Sequence, residues 1–175
     1  MKHATVYLAG PILDMRKGEA NDWREEVTKA LAWNNVVGIS PLRCEPLVGD
    51  RYTAGTACPK FGTAKAIGSK NVFDVRKCDM ILAYIPNPGE GRHHSWGTIC
   101  EMSWAFALGK PAVLVSEDPD VRNHPVLNAT AGWVVESLDD GVEIIAGILG
   151  DYSEHSLKAK TLKAESVAGR TELLP

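Results

Sequence analysis

No stretch of this 175-residue chain approaches the roughly 20 consecutive apolar residues that cross a bilayer; the longest apolar runs, Met80–Ile85 and Ala112–Val115, are far shorter. Paired cysteines are also missing. Cys44, Cys58, Cys78 and Cys100 stand far apart without a Cys-x-x-Cys pair, and two of them fall in segments that read as helices, so reduced thiols in a cytoplasmic protein are expected. An excess of positive charge is lacking as well. With 19 Lys plus Arg against 22 Asp plus Glu the formal net charge is −3, which leaves no domain-wide field to hold a nucleic-acid polymer or an anionic membrane. The opening residues meet Gly10-Pro11 after six or seven strand-like positions, with no small-residue cleavage site, and read as a first strand instead of an export signal. No internal repeat is visible. What is present is a 45% share of hydrophobic residues, enough for one sizeable core. The expectation is a single domain over residues 1–150, followed by a polar tail or subunit-contacting arm over 151–175.

The periodicity alternates between two and 3.6. Strands are expected at His3–Ala9, Val36–Ser40, Met80–Ile85, Pro111–Ser116 and Trp133–Val135. Helices are expected from Glu19, capped by Asn21 or Asp22, to about Trp33, over Asn71–Cys78, from Thr98 to Leu108 with Gly109 as the stop, and over Leu138–Leu149. Between Leu42 and Ser69 neither period is sustained, which predicts one long functional loop with at most short helical turns. Strands separated by helical crossovers imply an α/β fold, a doubly wound and mainly parallel five-stranded sheet with helices on both faces. Ligands then bind at the carboxyl ends of the strands. The loops there carry Gly10-Pro11, Pro41-Leu42-Arg43, His93-His94-Ser95-Trp96-Gly97-Thr98 and the polar run ending at His124.

The third loop is the most informative. Gly97 and Thr98 stand at a helix start, where free N–H groups point outward, and Glu101 follows in the expected first turn. A carboxylate there is favoured as the anion, which suits a nucleophile better than a general acid; half of an ordinary capping box with Thr98 is the plain alternative. His93 and His94 lack a third ligand at usable spacing, so no metal is expected and no other cofactor is required. Trp96 and Tyr52 can stack on a planar ligand or simply pack under a loop.

Tyr7-Leu8-Ala9-Gly10-Pro11, Asp22-Trp23-Arg24, Asp79, and Gly97-Thr98-x-x-Glu101 with Ala105, Ala107 and Gly109-Lys110-Pro111 occur in an order that resembles the nucleoside 2-deoxyribosyltransferase family, over Thr5 to Val135. The resemblance implies a flavodoxin-like fold and cleavage of the N-glycosidic bond of 2'-deoxynucleosides, with the sugar passed to another base through a covalent ester. It implies Glu101 as the nucleophile and Tyr7 as the hydroxyl that orients it. It also implies a homo-oligomer with shared active sites, His124 standing near the place where a residue is lent to the neighbouring pocket. Substrate contacts are expected at Gly10, Pro11, Arg43, Ser95, Trp96, Gly97 and Thr98.

Two positions depart from the family pattern. Asn71 stands where an aspartate helps to protonate the base, and an amide delivers no proton at neutral pH. Asp74, three residues on, is the candidate to take over; the plain alternative is a solvated Asp74 and a capping Asn71. Ser95 replaces an aspartate that receives the sugar 5'-hydroxyl, which removes a repulsion against a 5'-phosphate and brings in hydrolysis of nucleoside 5'-monophosphates as a second activity, with Arg43, Arg92, His93 and His94 adding positive charge at the rim. Phosphoribohydrolases that activate cytokinins share the Gly-Thr-x-x-Glu turn, but their preceding Pro-Gly-Gly is absent. A nucleotide-binding sensor without catalysis is the remaining alternative.

Overall fold

The computed structural model describes residues 3–44, 49–53, 60–89 and 93–150. Five strands, β1 (Ala4–Ala9), β2 (Val36–Ile39), β3 (Met80–Tyr84), β4 (Ala112–Val115) and β5 (Trp133–Val135), form one sheet in the order β2-β1-β3-β4-β5, and every pairing is parallel. Around it lie α1 (Lys17–Ala32), α2 (Ala64–Lys77), α3 (Trp96–Ala107), α4 (Pro119–Arg122), α5 (Pro125–Thr130) and α6 (Leu138–Leu149). The central strands are apolar along their length because both of their faces are covered. Alternate residues feed two cores. Val6, Leu8, Met80 and Leu82 pack with Val27 and Leu31 of α1 and Ile145 of α6. Tyr7, Ala9, Ile81 and Ala83 pack on the opposite face with Val75 of α2 and Met102 and Ala105 of α3. This parity puts Tyr7 on the α3 side, and a one-residue slip of β1 would carry it to the other face.

Three helix starts differ from expectation, each for a local reason. Helix α1 begins at Lys17, because the Arg16 N–H donates to Glu19 Oε2 at 2.7 Å, so Asn21 and Asp22 lie inside the helix instead of capping it. Helix α2 begins at Ala64, within the expected Leu42–Ser69 loop, because Thr63 accepts from the Ala66 N–H through its hydroxyl and nucleates a turn there. A short 3-10 turn over Pro41–Cys44 occupies the loop's other end. Helix α3 begins at Trp96, two residues early, because Ser95 caps it by accepting from the Thr98 N–H. The polar stretch after β4 holds α4 and α5, each with Pro at its first position behind a capping residue, Asp118 and His124. Gly109, with φ +65°, does follow α3 where a left-handed stop is required. Among the described residues no helix is long and apolar enough to cross a membrane. The expected 151–175 tail, Cys58 and Arg92 lie outside the described residues.

Candidate active site

A cavity of about 1310 Å³ opens at the carboxyl ends of the strands. Gly10, Pro11 and Ile12 after β1 form one wall, and Asp22 and Trp23 of α1 continue it. Asn71 of α2 and Tyr84, at the end of β3, line it from other sides. Ser95, Trp96, Gly97, Thr98, Glu101 and Trp104 close it along α3. Trp96 stands at the lip, 69% exposed.

Glu101 is 5% exposed, and its carboxylate meets two donors on one oxygen. The Tyr7 hydroxyl donates to Glu101 Oε1 at 2.6 Å, and Asn71 Nδ2 donates to the same oxygen at 2.8 Å. The Lys70 ammonium donates to Asn71 Oδ1 at 3.1 Å, which fixes the orientation of the amide. Three separate elements, β1, α2 and α3, thus converge on Oε1, with Oε2 outside both hydrogen bonds.

Burial pushes the Glu101 carboxyl up to about 7, against the pull of the Tyr7 hydrogen bond, the positive charges of Arg24 and Lys70, and the Asn71 hydrogen bond. This corrects the expectation of a readily ionised first-turn glutamate. Because α3 starts at Trp96, Glu101 lies in the second turn, beyond the reach of the helix-terminal charge, and desolvation dominates. The Thr98–Glu101 capping box is not formed either, since Ser95 holds the cap. The Tyr7 phenol is driven far above its ordinary range by burial and by the Glu101 charge, so it remains a donor at any physiological pH.

Beneath this cluster lies Arg24, which sequence reasoning quoted only as part of a motif. Its Nε donates to Leu8 O at 3.1 Å and Nη2 to Gly10 O at 2.9 Å, while Nη1 donates to Ala20 O and, at 3.4 Å, to Pro11 O. The guanidinium lies 4.3 Å from the Trp23 ring centroid. Burial lowers its pKa to about 10, so it stays charged at neutral pH. Arg24 therefore ties the β1–α1 turn to the helix and supplies a positive charge behind Glu101. The available signal was a charged residue on the buried stripe of an amphipathic helix, beside Trp23 and Val27.

The other expected site residues divide. Gly10, Pro11, Asn71, Ser95, Trp96, Gly97 and Thr98 come together on the cavity wall, and Tyr52 joins them, its hydroxyl accepting from Asn21 at 3.0 Å. Asp74 does not line the wall. It is 3% exposed and its two oxygens accept from Arg43, at 2.7 Å and 2.5 Å, so both partners are committed to a bidentate pair away from the cavity. The plain alternative fails too, since Asp74 is buried and Asn71 lies in the second half of α2. His124, expected near the place where a residue is lent to a neighbouring subunit's pocket, caps α5 here, its Nδ1 accepting from the Leu127 N–H at 3.4 Å. His93 and His94 do line it, with His94 Nε2 3.8 Å from Asp118 Oδ2. Among the described lining residues Asp14, Glu19, Asp22 and Glu101 face one guanidinium, Arg51. Among the described residues no three His, Cys, Asp or Glu side chains gather as a metal site would require.

Comparison with known proteins gives one family match and many structural likenesses, three of which follow. The 2-deoxyribosyltransferase from the psychrotolerant bacterium Bacillus psychrosaccharolyticus aligns at TM-score 0.56 and 19% identity, covering 88% of this chain and 96% of that one. A conserved protein from Enterococcus faecalis V583 aligns at TM-score 0.56 and 20% identity, over 81% and 96%. The molybdenum cofactor binding protein from the phototrophic bacterium Rippkaea orientalis aligns at TM-score 0.53 and 18% identity, over 85% and 98%. At these identities the likeness is one of fold. No curated protein sequence matches. The nucleoside 2-deoxyribosyltransferase family model matches residues 6–144.

Proposed function

The chain belongs to the nucleoside 2-deoxyribosyltransferase family, and from that premise we propose that it cleaves the N-glycosidic bond of 2'-deoxynucleosides and transfers the sugar to an acceptor base through an ester on Glu101. The observation that carries this reading is the pair of hydrogen bonds from Tyr7 and Asn71 to a single oxygen, Oε1. Breaking a C1'–N bond builds positive charge on the sugar, which an adjacent carboxylate stabilises and then captures. Oε2, without either donor, is the oxygen that forms the ester; the donors on Oε1 absorb charge as the carboxylate is consumed and regenerated. With the carboxyl titrating near 7, a substantial share is ionised at neutral pH.

Hydrolysis of a nucleoside 5'-monophosphate is the second reading. Ser95, at the start of α3, favours it, because its hydroxyl proton remains available beside the first helix N–H groups. Four lining carboxylates against one guanidinium weigh against a phosphate dianion. The test is incubation of the protein with a 2'-deoxynucleoside, its 5'-monophosphate and a free acceptor base, with products separated by chromatography. Exchanged nucleoside supports transfer; free base and sugar phosphate from the monophosphate alone support hydrolysis. Binding without turnover of either substrate refutes the enzymatic reading, and full activity in Glu101→Gln removes Glu101 from the mechanism.

A further inference from the structure

The two ends of the Asn71 amide act in opposite directions on Glu101. With Nδ2 toward Oε1, as observed at 2.8 Å, the amide hydrogen-bonds the anion. Turned over, its Oδ1 would repel the anion and accept from the protonated acid. The terminal amide torsion is soft and roughly two-fold, so it does not choose between them by itself. Burial favours the acid, which makes the choice consequential. Lys70 makes it. Its Nζ donates to Asn71 Oδ1 at 3.1 Å and to Pro41 O at the head of the 3-10 turn after β2. An ammonium has donors and no acceptor, so it can hold Oδ1 but never Nδ2. The neighbouring groups do not discriminate in this way. The Tyr7 hydroxyl on β1 can donate to the anion or accept from the acid, and Arg24 on α1 acts on Glu101 by charge, its donors going to backbone carbonyls. Asp74 is paired with Arg43, β3 brings only Tyr84, and β4 and α5 carry no titratable side chain. Asp14, Glu19, Asp22, Arg51, His93 and His94 stand elsewhere on the cavity wall.

We propose that Lys70 is a positioning residue for the nucleophile: by holding Asn71 Oδ1 it keeps the amide's donor end on Glu101 and so favours the carboxylate that attacks the sugar. The attack rests on the reading of Glu101 given above, whereas the hold on its ionisation does not. The charge of Lys70 pulls in the same direction, and it polarises the amide so that Nδ2 becomes a stronger donor. Lys70 directly precedes Asn71 on α2, and adjacent helix positions point apart by about 100°. A long flexible side chain is what can fold back onto its neighbour's amide. The arrangement also gives the amide at position 71 a purpose. An aspartate there would set a second carboxylate against Oε1, and two carboxylates in contact resist joint ionisation. An amide backed by an ammonium supplies the hydrogen bond without that repulsion.

The experiment titrates Glu101 directly, by carbon NMR of protein labelled at the glutamate side-chain carboxyl, the Glu101 signal being the one absent from Glu101→Gln. In the unaltered protein the midpoint is expected near 7. Lys70→Met should raise it by about one pH unit, and the acid limb of kcat/KM for a 2'-deoxynucleoside should rise with it. Such a rise lowers turnover about fivefold at pH 7 and leaves it nearly unaltered at pH 9, a pattern that lost packing alone does not produce. Lys70→Gln, uncharged but able to bond Pro41 O, is the second variant should Met not fold, and thermal melts report folding. In an Asn71→Ala background, Lys70→Met should move the midpoint less than about half as far, because only the direct effect of charge remains. A midpoint left near 7 in the folded Lys70 variants overturns the proposal, as does an equal shift with and without Asn71. A shifted midpoint in a protein that cleaves no substrate upholds the hold of Lys70 on Glu101 and overturns Glu101 as nucleophile.

Discussion

Replacing Glu101 with Gln should stabilise the protein above neutral pH, and the size of the effect follows from the carboxyl's burial. In the folded chain the group holds its proton up to about 7, whereas the ordinary value is 4.5. Between those limits the folded protein keeps a proton that the unfolded chain has released. Stability is therefore greatest below about 4.5, falls as pH rises through the window, and levels off above about 7. At about 1.4 kcal/mol for each tenfold change in proton affinity, the full gap amounts to roughly 3 kcal/mol at pH 8. Gln removes the charge while its Oε1 can still accept from Tyr7 and Asn71, so most of that loss should be recovered. For a chain of this size roughly 3 kcal/mol raises the melting temperature by about 6–12 °C. Thermal melts of both proteins at pH 5 and pH 8 provide the assay. Glu101→Gln should gain little at pH 5, gain markedly at pH 8, and lose turnover at both. A variant that melts at or below the temperature of the unaltered protein at pH 8 would refute the claim that burial governs this carboxyl.

Three further outcomes follow from the same geometry. Tyr7→Phe removes a hydrogen bond to a charged group worth about 1.5–3 kcal/mol, so turnover at neutral pH should fall about 10- to 100-fold and the acid limb of the pH–rate profile should move to higher pH; an unmoved limb removes Tyr7 from control of Glu101. Gly10→Ala places a methyl 2.5 Å from Trp23 Cζ2, beside the Arg24 guanidinium; urea unfolding should show a loss of about 1–3 kcal/mol, together with weakened substrate binding. Asp74→Asn breaks the bidentate pair with Arg43 and should cost about 1–2 kcal/mol in stability while leaving kcat within about twofold, since the carboxylate lies off the cavity; a large drop in kcat at unchanged stability would restore Asp74 to the chemistry.

The sheet was legible because its signals are local. Met80–Ile85 is apolar throughout, Leu138–Leu149 has helical spacing behind Ser137, and Pro and Gly punctuate the strand ends. That Glu101 and Tyr7 would stand together was likewise legible, from an ordered set of motifs and the rule that places ligands at strand carboxyl ends. The start of α2 was hidden because Gly62 and Gly68 flank and interrupt the apolar pattern that Thr63 nonetheless nucleates. Starting α3 at Thr98 instead of Trp96 moved Glu101 into the wrong turn and so reversed its expected acidity. The Arg43–Asp74 pair joins residues 31 positions apart, and Arg24 finds partners in backbone carbonyls, which carry no sequence signature at all.

The clamp on Glu101 Oε1 also bears on stereochemistry. Two donors on that oxygen hold the carboxylate in one orientation, so that under the proposed mechanism Oε2 alone is offered to the sugar. In the double displacement proposed above, each step would invert the anomeric centre, with the incoming group entering from the side opposite the protein ester. Two inversions restore the original handedness, so a β-nucleoside yields a β-nucleoside and its α-anomer is never released.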